Sequence, residues 1–117
     1  MSRHDDSVRL RHMLEHAGEA VGFIEGREPS DLKSDRMLEL ALCRLAGVIG
    51  EAASRVSPEG RGKIPELSWS DIIGMRHRII HGYDMVAHKV LWSTITKDLP
   101  PLIRILREHL EPCDPAH

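Results

Sequence analysis

The side chains that could do chemistry are concentrated between positions 76 and 83, where the sequence reads Arg76-His77-Arg78-Ile79-Ile80-His81-Gly82-Tyr83. A histidine can give or take a proton near neutral pH, and an arginine offers a fixed fork of donors to phosphate oxygens. RNA can be cut without a metal by its own 2′-hydroxyl if these two functions are supplied. For that chemistry His81 is the candidate acid/base and Arg76 the candidate stabiliser of phosphate charge. His77 is a candidate second proton carrier, and Tyr83 could hydrogen-bond a phosphate or orient His81.

A helix must position these groups, because Trp69, Ile72, Ile73, Ile79 and Ile80 recur at helical spacing. The arginine at position 76 interrupts this apolar stripe. If it is buried, its permanent charge needs an anionic partner or a bound anion. The histidine five residues later diverges from it by ~140° on a regular helix. The two groups therefore meet only if the helix loosens at the following glycine, or if other elements or a second copy complete the site.

Composition describes an ordinary globular chain of a single domain spanning residues 1–117, with 41% hydrophobic and 29% charged residues. Its net charge of -2 supplies no overall positive field for nucleic acid, so any RNA binding needs a local basic patch. Aromatic residues make up only 3%, which argues against reading RNA bases by stacking. No signal peptide and no apolar run of membrane-spanning length is present, so we expect a cytoplasmic protein without a membrane segment.

Helical periodicity without strand-like alternation predicts an all-α, up-and-down bundle of four main helices. The first helix is expected over about 5–26 and the second over about 34–56, with Ser34 as its N-cap. Residues 57–67 read as the longest loop. The motif helix follows, and the last helix should be kinked or split near Pro100-Pro101. The tail from about residue 111 should be frayed.

The second helix carries more apolar residues than one buried face requires. It could bury one face in the core and a second against another subunit, or bury both against neighbouring helices. Cys43 within it reads as a small core residue, and no cysteine spacing typical of a metal site is present.

The motif resembles the Arg-x4-His-x-Tyr signature of HEPN-superfamily ribonuclease toxins, specifically the HepT-like group. The resemblance covers nearly the whole chain in order, through residues 9–14, 47–53, 71–76 and 97–102. One departure is His77, where relatives often carry Asn after the arginine.

The resemblance implies a metal-independent endoribonuclease without a cofactor, built as a homodimer with a composite site in the intersubunit cleft. It further implies a toxin of a type VII-like toxin–antitoxin system. The partner would be a minimal nucleotidyltransferase antitoxin that silences the enzyme by adenylylating (AMPylating) Tyr83.

Two other readings of the same residues stay open. The chain could be a non-catalytic nucleotide- or substrate-binding partner of a nucleotidyltransferase, with Arg76 binding a phosphate that is not cut. Alternatively, His77, His81 and Asp84 at i, i+4, i+7 could hold a metal ion, which chelation by EDTA would reveal. A purely structural alternative also stays open, in which Arg76 forms a buried ion pair with a Glu or Asp of the first or second helix.

Overall fold

The computed structural model describes residues 3–80 and 85–110. Within these ranges the chain is helical and contains no strand, which confirms the predicted all-α class. The helices are α1 (Arg3–Phe23), α2 (Asp31–Ser34), α3 (Arg36–Ser54), α4 (Pro58–Gly62), α5 (Trp69–Ile80), α6 (Met85–Ser93) and α7 (Leu99–Leu110), and a π-helical segment (Thr94–Asp98) joins the last two.

The third helix is the central element of the bundle. It packs against α1 on one side and α5 on another, while α7 packs against α1. Its inward positions Leu42, Ala46, Ile49 and Ala53 are fully buried. Because these residues recur every three or four positions, a single helix face supplies much of the apolar area whose burial stabilises the fold.

The start of α3 differs by one residue from the sequence-based expectation. Asp35, not Ser34, is the N-cap: its backbone is extended and its carboxylate accepts a hydrogen bond from the Leu38 N–H at 3.1 Å. That hydrogen bond, together with the neighbouring Arg27, lowers the pKa of Asp35. Ser34 instead ends the short α2. An aspartate satisfies the free N–H groups of the first turn as well as a serine does, so sequence alone did not separate the two.

The segment predicted as the longest loop contains the short helix α4. Ser57 caps it by accepting from the Gly60 N–H, and Ser57 itself donates to the Asp6 carboxylate through its N–H (2.9 Å) and its hydroxyl (2.6 Å). These two bonds lower the pKa of Asp6 and tie the beginning of α1 to this segment. A proline at the first helical position after a serine is typical of a helix start. The prediction of a loop for residues 57–67 did not use this signal.

The last helix is split as predicted, but the irregular part precedes the two prolines. In the π-helical segment the Leu99 N–H bonds to the Thr94 carbonyl, five residues back. Pro100 and Pro101 then lie in the first turn of α7, where their missing N–H groups cost least. The predicted frayed tail lies outside the described residues, and the single-domain boundary 1–117 stays a prediction.

Candidate active site

Arg76 lies near the C-terminal end of α5, on the side that faces α3. The apolar stripe of α5 consists of Ile72, Met75 and Ile79, all buried. Arg76 flanks this stripe, and its side chain is 59% exposed. Arg76 is therefore not buried in the core, because the stripe is complete without it.

Two glycines of α3 face this part of α5, and the contact is tight at one of them. A methyl group at Gly47 would lie 3.7 Å from Arg76 Cγ, so the aliphatic stem of the arginine rests against the α3 backbone. A methyl group at Gly50 would lie 3.1 Å from the Ile72 carbonyl oxygen and 3.3 Å from that of Ile73. The backbones of α3 and α5 are thus in tight contact at Gly50, where a larger residue would require a neighbouring atom to shift by a few tenths of an ångström, and Arg76 begins beside this contact.

The guanidinium of Arg76 faces Glu51 of α3, with 4.0 Å between Nη1 and Oε2. The carboxylate comes from the second main helix, as the structural alternative predicted, but the pair is exposed and not buried. Glu51 also accepts from Arg55 Nε at 3.0 Å, and its side chain is 48% exposed. An exposed pair at this distance is worth about 0–1 kcal/mol. Arg76 can therefore exchange it for a stronger, bidentate contact with a phosphate.

An open groove of about 600 Å³ lies between the two helices; its lining residues are Cys43, Arg44, Gly47, Val48, Glu51 and Arg76. Sequence reasoning missed Arg44 and Glu51. The two residues are seven positions apart on α3, with Gly47 between them. Residues at this spacing lie on one face of a helix, so the pattern was visible in the sequence. Cys43 is half-buried, and burial, assisted by Glu39, raises the pKa of its thiol. A neutral thiol is a poor nucleophile.

His77 follows Arg76 on α5 and is exposed. His81 and Tyr83, together with Asp84, lie outside the described residues. The helices on either side of them are both anchored on α3. α5 packs closely against α3 through Gly50, and on α6 His88 hydrogen-bonds the Glu39 carboxylate of α3. The roles of Arg76, His77, His81 and Tyr83 stay predictions.

No three residues of His, Cys, Asp and Glu within the described ranges lie close enough to hold a metal ion. The metal alternative depends on His81 and Asp84, which lie beyond those ranges. No helix in residues 3–80 and 85–110 has the length and apolar character needed to span a bilayer.

The fold and the described part of the site define the chain's class as an all-α helical bundle with an arginine-lined groove between two of its helices. The family model described as "Ribonuclease HepT-like" matches residues 13–109. The chain belongs to this HepT-like ribonuclease family. This confirms the resemblance to the HepT-like group and the predicted enzyme class, an endoribonuclease.

Similar proteins come from bacteria and archaea. A protein named "Putative RNase" from Caldanaerobacter subterraneus subsp. tengcongensis is 32% identical over 102 residues, covering 87% of this chain and 91% of its own. "Probable ribonuclease HepT" from Thermococcus cleftensis is 34% identical over 93 residues, or 76% and 84% of the two chains. A "Putative RNase" from Methanocaldococcus jannaschii is 28% identical, with 87% and 94% covered. No solved structure matches the chain significantly.

Proposed function

We propose that the chain is a metal-independent endoribonuclease toxin that acts in the cytoplasm. The observation that carries this proposal is the placement of Arg76: it borders an open groove and, among the described residues, pairs with one exposed carboxylate. Family membership supports the same reading of the motif that contains it.

In the proposed reaction a histidine takes the proton of an RNA 2′-hydroxyl. The freed oxygen attacks the adjacent phosphorus, and the bond to the 5′-oxygen breaks as that oxygen receives a proton. The products are a 2′,3′-cyclic phosphate and a 5′-hydroxyl end. His81 is the acid/base, and Arg76 neutralises the extra charge on the phosphate oxygens in the transition state. His77 is the candidate second proton carrier, and Tyr83 orients His81 or the phosphate.

The experiment that tests this activity measures cleavage of RNA in EDTA by unmodified protein and by a His81→Ala variant. We expect cleavage to persist in EDTA and the variant to lose about 100- to 10,000-fold in rate. His12→Ala is the matched control, since His12 is exposed on α1, away from the groove. Equal rates for the His81 variant and the parent would remove the catalytic assignment and favour a nucleotide-binding partner instead. Loss of activity in EDTA would point to the metal site.

The enzyme is proposed to act as a homodimer with the two motifs facing one cleft. An exposed stripe on α3 supports this. Met37 is 82% exposed and Leu40 is 51% exposed, and continuing at intervals of three or four residues the same stripe reaches Arg44, Gly47 and Glu51 of the groove. An exposed apolar surface continuous with the groove is what a second copy would cover while bringing its own motif to the site.

Sedimentation should therefore give twice the chain mass of 13.2 kDa. Leu40→Asp places a charge in the proposed contact and should give a monomer. Arg104→Asp on α7 changes an exposed residue outside the stripe and should leave the dimer intact. A parent protein that sediments as a monomer at assay concentrations would contradict the dimer.

Regulation is proposed to come from a minimal nucleotidyltransferase antitoxin that transfers AMP to Tyr83. The AMP group would add bulk and negative charge to the cleft, and both would exclude an RNA phosphate. Incubation with such an enzyme and ATP should add one AMP to the parent chain, detected by mass spectrometry, and should stop RNA cleavage. Tyr83→Phe should remain unmodified and should not be silenced. Modification at another residue would contradict this assignment.

A further inference from the structure

Arg44 is an exposed arginine on the wall of the candidate active-site groove. Most other cations near the groove have carboxylate partners: Arg36 pairs with Glu39, and Arg55 and Arg76 share Glu51. Within residues 3–80 and 85–110, by contrast, no hydrogen bond or ion pair holds the Arg44 guanidinium. Among the residues that the structure describes, Arg44 is therefore a groove arginine without a carboxylate partner.

The position of Arg44 relative to Arg76 follows from the helix geometry. Arg76 crosses α3 at Gly47, where its Cγ would lie 3.7 Å from an added methyl group. Arg44 precedes Gly47 by three residues, which is ~4.5 Å along the helix axis. The two arginines thus come from different helices and line the same groove. The stem of Arg76 crosses α3 about one helical turn from Arg44, and its guanidinium faces Glu51, about two turns from Arg44.

The charges lining the groove favour an anion at the end occupied by Arg44. Glu51, the acidic residue of the lining, lies two turns away beside Arg76 and is shared with Arg55. The half-buried Cys43 thiol is neutral near pH 7, because burial raises its pKa. Since the whole chain has a net charge of -2, attraction for an RNA strand has to come from local cations such as this one.

We infer that Arg44 binds a phosphate of the RNA strand next to the phosphate contacted by Arg76, and so sets how the strand lies in the groove. This inference rests on the proposed ribonuclease function. A contact of this kind is equally strong before and during the reaction. Losing it should therefore raise KM and leave kcat nearly unchanged, the reverse of what the loss of a transition-state contact does.

The test uses a His81→Ala background, which cannot cleave, and a fluorescent single-stranded RNA whose binding is followed by anisotropy over a range of salt concentrations. Arg44→Gln should weaken binding about fivefold at low salt. It should also reduce the slope of log affinity against log salt by about 0.7 for each phosphate contact removed. Arg44→Lys should keep most of the slope, because it keeps the charge. Arg104→Gln makes the same change of charge on α7 and controls for net charge alone.

Equal affinity and equal salt slope for Arg44→Gln and Arg104→Gln would overturn the assignment of Arg44 and leave the ribonuclease function standing. A background protein that binds no RNA would overturn both. Sedimentation separates a further case: if Arg44→Gln loses RNA binding only because the dimer dissociates, Arg44 belongs to the subunit contact and the inference is wrong. A variant that stays dimeric and raises KM in the cleavage-competent protein supports it.

Discussion

Replacing Arg76 with alanine should lower the rate of RNA cleavage by about 100- to 1,000-fold, the usual effect of removing a donor that stabilises transition-state charge. The arginine is exposed and contributes to the fold through one weak pair with Glu51. Its loss should therefore change the melting temperature little. Both kcat and kcat/KM should fall together, because the guanidinium acts mainly when charge builds up on the phosphate oxygens.

Two variants sharpen this experiment. Arg76→Lys keeps the charge but loses the fork of donors, so we expect a rate between those of the parent and the alanine variant. Arg78→Ala removes an arginine two positions along the same helix. Arg78 donates to the Asp71 carbonyl and lines a different surface cavity, so this change should leave the rate within a few-fold of the parent. If Arg76→Ala retains the parent rate while remaining folded, Arg76 is not the stabilising group.

Replacing Gly50 with alanine should lower the free energy of unfolding by up to about 2 kcal/mol, because overpacking a tight contact costs about 1–3 kcal/mol and alanine recovers about 1 kcal/mol of helix propensity. The new methyl group would lie 3.1 Å and 3.3 Å from two backbone carbonyl oxygens of α5, and backbone atoms cannot swing aside as a flexible side chain does. Relief requires α5 to move away from α3. Because Arg76 is part of α5, this movement would displace its guanidinium from the groove. The rate of RNA cleavage should therefore fall as well, in protein that is still folded.

Gly74→Ala is the matched control, since it is the same substitution on α5 at a position where a methyl group meets no atom within 4 Å. There the change should stabilise the helix by about 0.5–1 kcal/mol. Urea denaturation of both variants measures the difference. Equal stability of the two variants would show that the contact at Gly50 is not tight.

Sequence periodicity was sufficient for the helices with strong apolar stripes, such as α3 and α5, because burial of one face determines where such helices lie. It was less reliable at helix ends. Ser34 and Asp35 are adjacent and chemically suited to the same cap, and only the geometry shows which of them accepts the Leu38 N–H. The π-helical segment was not predicted either, since widening one turn leaves no distinct composition.

For the candidate site, sequence identified the motif residues but not their surroundings. The Arg76 partner Glu51 lies 25 positions earlier in the chain, and only the packing of α3 against α5 brings the two together. The arginine at position 44 resembles any other charged residue of an amphipathic helix until the groove is seen. His77, His81 and Tyr83 were chosen from the motif, and the described residues do not test their roles.

The close approach at Gly50 bears on how this enzyme can evolve. On α3 the inward side fills the core, one side accommodates α5 through glycine, and the remaining exposed side carries Met37, Leu40 and the groove. Because each side of α3 has a structural or proposed functional role, few of its positions should tolerate substitution. Diversification should instead accumulate on α1 and α7, whose outer faces remain exposed and carry residues such as Arg11, Glu15 and Arg107. Sequence variation among relatives should then be lowest along α3, at its exposed positions as well as at its buried ones.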